Sequence, residues 1–147
     1  MSAVQSAHQY CTFYVAGLYL GLDVLTVQEV LRARELALVP LSPTNVEGLL
    51  NLRGQIVTAI DLRRRLGFPP RKAEDSSMFM IVRTEDGFLA LVVDSVGDVI
   101  EVDESTYEPA PDTLPLSMRA VLIGVHKLPE KLLHLLDPEQ TAALPAV

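Results

Sequence analysis

The apolar residues of this chain come in short runs, and nearly every run is closed by a turn signal. That pattern favours β-strands joined by tight turns over long amphipathic helices. CTFYV and LYLGLDV flank Ala16-Gly17 and read as a hairpin. MFMIVR and FLALVVD flank Thr84-Glu85-Asp86-Gly87, a second hairpin in which Asp-Gly supplies the positive φ of a tight turn. The strand GDVIEVD follows at once. STYEPAPDTLP, with its three prolines, cannot continue a sheet and reads as an ordered crossing loop. VLIGVH and KLLHLLD are read as a further hairpin about Leu128-Pro129-Glu130. The rival is a helix PEKLLHLLD opened by Pro129. The hairpin is preferred because the run is short and the turn separates apolar stretches of similar length.

Helices are expected to be few and short. Ser42-Pro43 could start one turn that Gly48 ends, and Asp137-Pro138-Glu139-Gln140 fits a cap followed by a first-turn proline. VLTVQEVL is ambiguous, because Val24, Val27 and Leu31 have helical spacing while the segment is rich in β-branched residues. Two similar-sized sets of strands, before and after about residue 70, would suit two small barrels.

The chain has the length of one domain, 147 residues. It is 49% apolar and 21% charged, enough apolar content to bury a core. No apolar run approaches the roughly 18 residues needed to span a bilayer, so direct membrane insertion is not expected. The N-terminus lacks the basic and apolar regions of a signal peptide, and one cysteine, Cys11, allows no internal disulfide. The cytoplasm is the expected compartment. The net charge of −7 is unevenly placed: residues 1–72 carry eight Lys/Arg and five Asp/Glu, residues 73–147 four and fourteen. An acidic protein gains nothing from phosphate attraction, which argues against nucleic acid.

Signs of catalysis are missing from the sequence. There is no P-loop and no GxGxxG after a strand. VDSVG lacks the first glycine of a nucleophile elbow. His8, His126 and His134 show no metal-ligand spacing, and the two in strands read as structural. Cys11 has no orienting or oxyanion motif beside it. Glu101, Asp103, Glu104 and Glu108 do not fit a calcium loop and read as a solvated face. No enzyme, cofactor or metal is expected.

Most of the charge in NLRGQIVTAIDLRRRLG has a plain structural reading. Asp61 is placed as an N-cap, Leu62 and Leu66 form an i,i+4 apolar pair, and Gly67 suits a left-handed helix end. Arg63 to Arg65 then fall in the last turn, where the helix dipole favours cations by roughly 0.3–1 kcal/mol each. Arg53 differs, because it stands in a turn between two apolar strands beside Gly54, which permits a tight backbone. Arginine is chosen where a planar fork must meet a carboxylate. Residue chemistry leaves Arg53 open between such pairing and ordinary exposure.

GLLNLRGQIVTAIDLRRRLG resembles the signature of CheW-like chemotaxis coupling domains. FYVAGLYLGLDVLTVQEVLR resembles that family's opening hairpin and its V-Q-E-V segment. LVVDSVGDVIEV resembles its V-D-x-V strand pair, YEPAP its P-x-P loop, and KLLHLLDPEQ its closing strand and helix start. The likeness covers roughly residues 8–144, taken as one domain made of two barrel subdomains. Thr58 departs from it, standing where the family usually has proline.

The resemblance implies an all-β fold of two small SH3-like five-stranded barrels sharing a hydrophobic core. It implies a non-catalytic adaptor, a monomer when free, recruited to membrane-associated receptor arrays. Its partners would be the helical cytoplasmic tip of chemoreceptors and the regulatory domain of a CheA-type histidine autokinase. The matching positions place Val27, Glu29, Val30, Arg53 and Gly54 in the receptor groove, with Glu29 and Arg53 as a salt bridge. Arg34, Leu36 and Leu38 are the candidates for the kinase contact. The alternative from another class is a small-molecule-binding β-barrel, which a bound metabolite in native mass spectrometry would favour.

Overall fold

The computed structural model describes residues 7–37, 46–72 and 74–143. The described chain runs β1 (Ala7–Val15), β2 (Leu18–Asp23), β3 (Val27–Arg32), β4 (Val46–Leu52) and β5 (Gln55–Asp61), then α1 (Leu62–Arg65). It continues through β6 (Met78–Thr84), β7 (Gly87–Val93), β8 (Ser95–Asp103), a 3-10 turn over Glu104–Thr106 and β9 (Tyr107–Pro109). It closes with α2 (Leu116–Arg119), β10 (Leu122–Lys127), β11 (Leu132–Leu136) and α3 (Pro138–Ala142). The expected mostly-β fold with a few short helices holds.

The strands form a six-stranded sheet, β8-β1-β2-β11-β10-β9, and a five-stranded sheet, β3-β6-β7-β5-β4. The end strands of neither sheet pair with each other, so both are open rather than closed barrels. Neither sheet is confined to one side of residue 70, which corrects the expected split. The reason lies in β6 and β7, whose apolar runs are buried on both faces. A strand apolar on both faces needs cover on both, and only the interior of a layered sheet provides it. Met80, Val82, Leu89, Leu91 and Val93 join Phe13, Leu20 and Leu22 of the other sheet in the shared core. Phe79, Ile81, Ala90 and Val92 meet Leu50, Leu52, Val57 and Ala59 on the opposite face. Fully burying each large aliphatic side chain here contributes roughly 1.5–3 kcal/mol.

Two hairpins turn through paired positive φ values, Ala16 (50°) with Gly17 (82°) and Arg53 (50°) with Gly54 (89°). Both are two-residue loops, closed by Val15 opposite Leu18 and Leu52 opposite Gln55, and this turn type matches the strand twist. The β6–β7 hairpin forms where expected, but its tip is Glu85-Asp86 and the positive φ falls on Gly87, the first residue of β7.

The proline-rich segment departs from expectation. Tyr107–Pro109 pairs antiparallel with β10. It does so at the outermost position of the sheet, where the missing N–H of Pro109 can be tolerated. The β10–β11 hairpin forms as read from the sequence. VLTVQEVL resolves into a turn over residues 24–26 followed by strand β3. Asp61 and Asp137 both cap helices, Asp61 accepting from the Arg63 amide and Asp137 from the amides of Glu139 and Gln140. The helical turn expected at Ser42-Pro43 lies outside the described residues.

Candidate functional site

The three adjacent arginines are framework. Arg63 donates Nε to Asp94 Oδ1 at 2.9 Å and Nη2 to Oδ2 at 2.7 Å. Asp94 also accepts from Arg71 at 3.1 Å and from the Ala16 amide at 2.7 Å. Burial pushes the Asp94 carboxyl up, but the donors from Arg63, Ala16 and Arg71 outweigh it and hold the carboxyl below its ordinary value. Arg65 reaches the carbonyls of Gln140 and Ala143, both at 2.8 Å, and that of Thr141. Arg64 lies 3.4 Å from Asp61. The run therefore ties α1 to the β7–β8 corner, to the β1–β2 turn and to α3. The dipole reading from sequence understates this, since the contacts of Arg63 and Arg65 join segments distant in the chain, while that of Arg64 with Asp61 is local.

Arg53 is built differently. The Asn51 side chain accepts the Gly54 amide at 3.0 Å and fixes the turn, which presents Arg53 at its tip. Both guanidinium Nη atoms donate to Glu29, Nη1 to Oε1 at 3.4 Å and Nη2 to Oε2. The hydrogen bond from Arg53 holds the Glu29 carboxyl below its ordinary value, and the same bond raises Arg53. Arg53 is 67% exposed and Glu29 25%, so water screens the pair. Glu29 lies in β3 and Arg53 follows β4, the two opposite edges of the five-stranded sheet. A cleft of about 300 Å³ opens beside the pair, with Gln28, Leu52, Ile81 and Phe88 in its walls. Gln28 in turn accepts from Arg83 at 2.6 Å.

The structure does not gather all the expected groove residues on one face. A bulge shifts the β3–β6 register between Val27 and Glu29. Val27 then stands opposite Val82 and Val30 opposite Met80, both in the core between the sheets, while Glu29 stands opposite Ile81 on the other face. Val27 packs partly against that shared core, whereas Val30 is 39% exposed. Glu29, Arg53 and Gly54 come together, and the two valines share the reverse face. Because β3 is an edge strand, a partner lying along it reaches both faces. The bulge that separates them leaves no composition signal in VQEV.

Of the residues expected at a second surface, Arg34 is exposed, but Leu36 packs partly into the interior of the five-stranded sheet. Leu38 lies outside the described residues. His134 is buried with Nδ1 donating to the Tyr19 carbonyl at 3.0 Å. Burial pushes the Cys11 thiol up. Asp103 caps the 3-10 turn, and Glu108 pairs with Lys127 at 3.0 Å. Among the described residues no group of three or more His, Cys, Asp or Glu could hold a metal. No described helix is long and apolar enough to cross a membrane.

The CheW-like domain family matches residues 9–145. The chain is similar to the chemotaxis protein CheW of Bacillus subtilis, 28% identical over 134 residues that cover 91% of this chain and 86% of that one. It is similar to the chemotaxis protein CheW of Klebsiella aerogenes, 29% identical over 120 residues, covering 82% of this chain and 72% of that one. It also superposes on the crystal structure of the scaffolding protein TtCheW from Thermoanaerobacter tengcongensis with a TM-score of 0.81, at 32% identity and 91% coverage of each chain.

Proposed function

The chain belongs to the CheW-like domain family, and we infer from that membership and from its own geometry how it works as a chemotaxis scaffold. It couples chemosensory proteins without catalysing a reaction. Its partners are the helical cytoplasmic tip of chemoreceptors and the regulatory domain of a CheA-type histidine autokinase, assembled at receptor arrays on the cytoplasmic side of the membrane.

The observation that carries this reading is the Glu29–Arg53 pair, which bridges opposite edges of one sheet. An exposed pair adds little to stability. It can nevertheless fix the distance between β3 and the β4–β5 turn, and with it the shape of the adjoining cleft. A helical partner docks into such a cleft through spaced apolar anchors. Val30 on one side of the β3 edge and Phe88 on the other are both partly exposed and supply apolar surface for it. The kinase contact is separate and involves the segment around Arg34. Co-purification with a receptor signalling fragment and the kinase tests the reading. Capture of both supports it, and capture of neither by the folded protein defeats it.

A further inference from the structure

Strand β3 is an edge strand that pairs with β6 alone, so its register is held from one side. That register carries one extra residue, Gln28, between Val27 opposite Val82 and Glu29 opposite Ile81. In a regular strand successive side chains point to opposite faces. Here the bulge sets two neighbours against one residue of β6. Gln28 lines the cleft that Arg53 also lines, and Glu29 bonds Arg53 itself. The cleft therefore receives both polar side chains of the V-Q-E-V segment because the strand is irregular.

Arg83 of β6 grips the bulge from the neighbouring strand. Its backbone amide donates to the Thr26 carbonyl at 2.9 Å, on one side of the extra residue. Its guanidinium donates Nε at 3.1 Å and Nη2 at 2.6 Å to the side-chain oxygen of Gln28. Arginine has no acceptor, so the Gln28 atom that faces it is the oxygen. Two donors of a rigid fork on one oxygen hold the Gln28 side chain in a single orientation. Arg83 stands opposite Phe88 in the β6–β7 register, and Phe88 is another wall of the cleft.

The competing register lies one residue away. With Val27 kept against the shared core and Thr26 kept on the Arg83 amide, a strand without the bulge pairs Gln28 with Ile81 and Glu29 with Met80. Glu29 then faces the shared core and turns away from Arg53. Leu31 opposes this slip by its packing in the five-stranded sheet, whereas Val30 is exposed and opposes it little. We propose that Arg83 is a positioning residue for the coupling site: by clamping Gln28 it keeps the bulge in β3, and the bulge keeps Glu29 aimed at Arg53. Both clamp side chains are exposed, so their loss costs the fold little. What they decide is the choice between two registers of one edge strand. The functional consequence rests on the coupling role given above to the Glu29–Arg53 bridge.

Glu29 is its own reporter, because the hydrogen bond from Arg53 holds its carboxyl below the ordinary value. That carboxyl is titrated by 13C NMR in the parent, Arg83→Ala, Gln28→Ala and Arg83→Lys. In the two alanine variants the midpoint is expected to rise to the ordinary carboxylate range, while the melting temperature stays within about 2 °C of the parent. Arg83→Lys keeps one donor for Gln28 and is expected to hold the midpoint low. Receptor-dependent kinase activation is expected to drop roughly tenfold in the alanine variants and to recover in part with lysine. An unmoved midpoint in Gln28→Ala overturns the proposal even if Arg83→Ala moves it, because only the second variant removes a charge that acts on Glu29 through space. A midpoint that rises in both alanine variants with activation intact upholds the clamp and defeats the coupling role of the bridge instead.

Discussion

Glu29 and Arg53 stand at opposite edges of one five-stranded sheet, and their side chains join where the backbone ladders of β3 and β4 do not meet. The pair is too exposed to hold the fold together. What it holds is the spacing between an edge strand and a hairpin tip. That is the spacing a docked helix would sense.

The two valines of β3 should respond differently to charge. Val30→Glu places a carboxylate at an exposed position, and it is expected to weaken receptor binding while the melting temperature stays within about 2 °C of the parent. Val27→Glu forces a charge toward the shared core and is expected to cost about 2 kcal/mol or more of stability. Thermal melts beside a receptor pull-down separate the two. Equal destabilisation by both variants would mean that Val30 is core.

Asp94 should behave as a structural hub. It gathers donors from Arg63, Arg71 and the Ala16 amide. Removing it strips the partly buried Arg63 guanidinium of its carboxylate and leaves Arg71 only the longer 3.9 Å approach to Asp61, so Asp94→Ala is expected to lose about 3 kcal/mol. In urea this appears as a lower midpoint at an unchanged slope. A change within about 0.5 kcal/mol would contradict the role given to the arginine run.

Most strands, the hairpins and helices α1 and α3 were legible in the sequence because apolar period and turn chemistry are local properties, whereas β9 inside the proline-rich segment and α2 were not legible in it and β3 is ambiguous there. The capping of α1 by Asp61 and α3 by Asp137 was legible for the same reason. The assignment of strands to sheets was not, since β6 and β7 declare only that both their faces are buried, not which neighbours cover them. Pairing Glu29 with Arg53 required the family resemblance, because the two lie 24 positions apart with no local signal joining them. The bulge at Gln28 and the reach of Arg65 to the carbonyls of α3 are tertiary facts. Charge alone made the arginine run look like a solvated helix end.

Acid should weaken the fold in two separate windows. Burial holds the His126 imidazole below its ordinary value of 6.5; Glu104 opposes it less strongly, and His8 adds a smaller push in the same direction as burial. Thr106, Tyr10 and Tyr107 pack around it as neutral groups. The unfolded chain therefore takes up a proton before the folded one as pH falls through 6.5. The contribution of neutral His126 is fully present above that value and declines below it. Asp94 and Asp103 are held below their ordinary 3.8, so their contribution is lost only at lower pH. Urea midpoints are expected to fall between about pH 7 and pH 5.5 in the parent and to fall less in His126→Gln. Identical declines in the two proteins would show that His126 is not the group responsible.

The most direct test of the coupling role is to exchange the charges of Glu29 and Arg53. Kinase activation in a reconstituted receptor–kinase–adaptor assembly is measured for Glu29→Ala, Arg53→Ala, and the double variant Glu29→Arg with Arg53→Glu. Each single variant is expected to melt within about 2 °C of the parent while activation drops roughly tenfold. The exchanged pair is expected to recover part of that loss, because it restores the bridge between the two sheet edges with its polarity reversed. If all three variants stay folded and the exchange restores nothing, Arg53 acts by touching the partner itself, and the bridge does not shape the cleft.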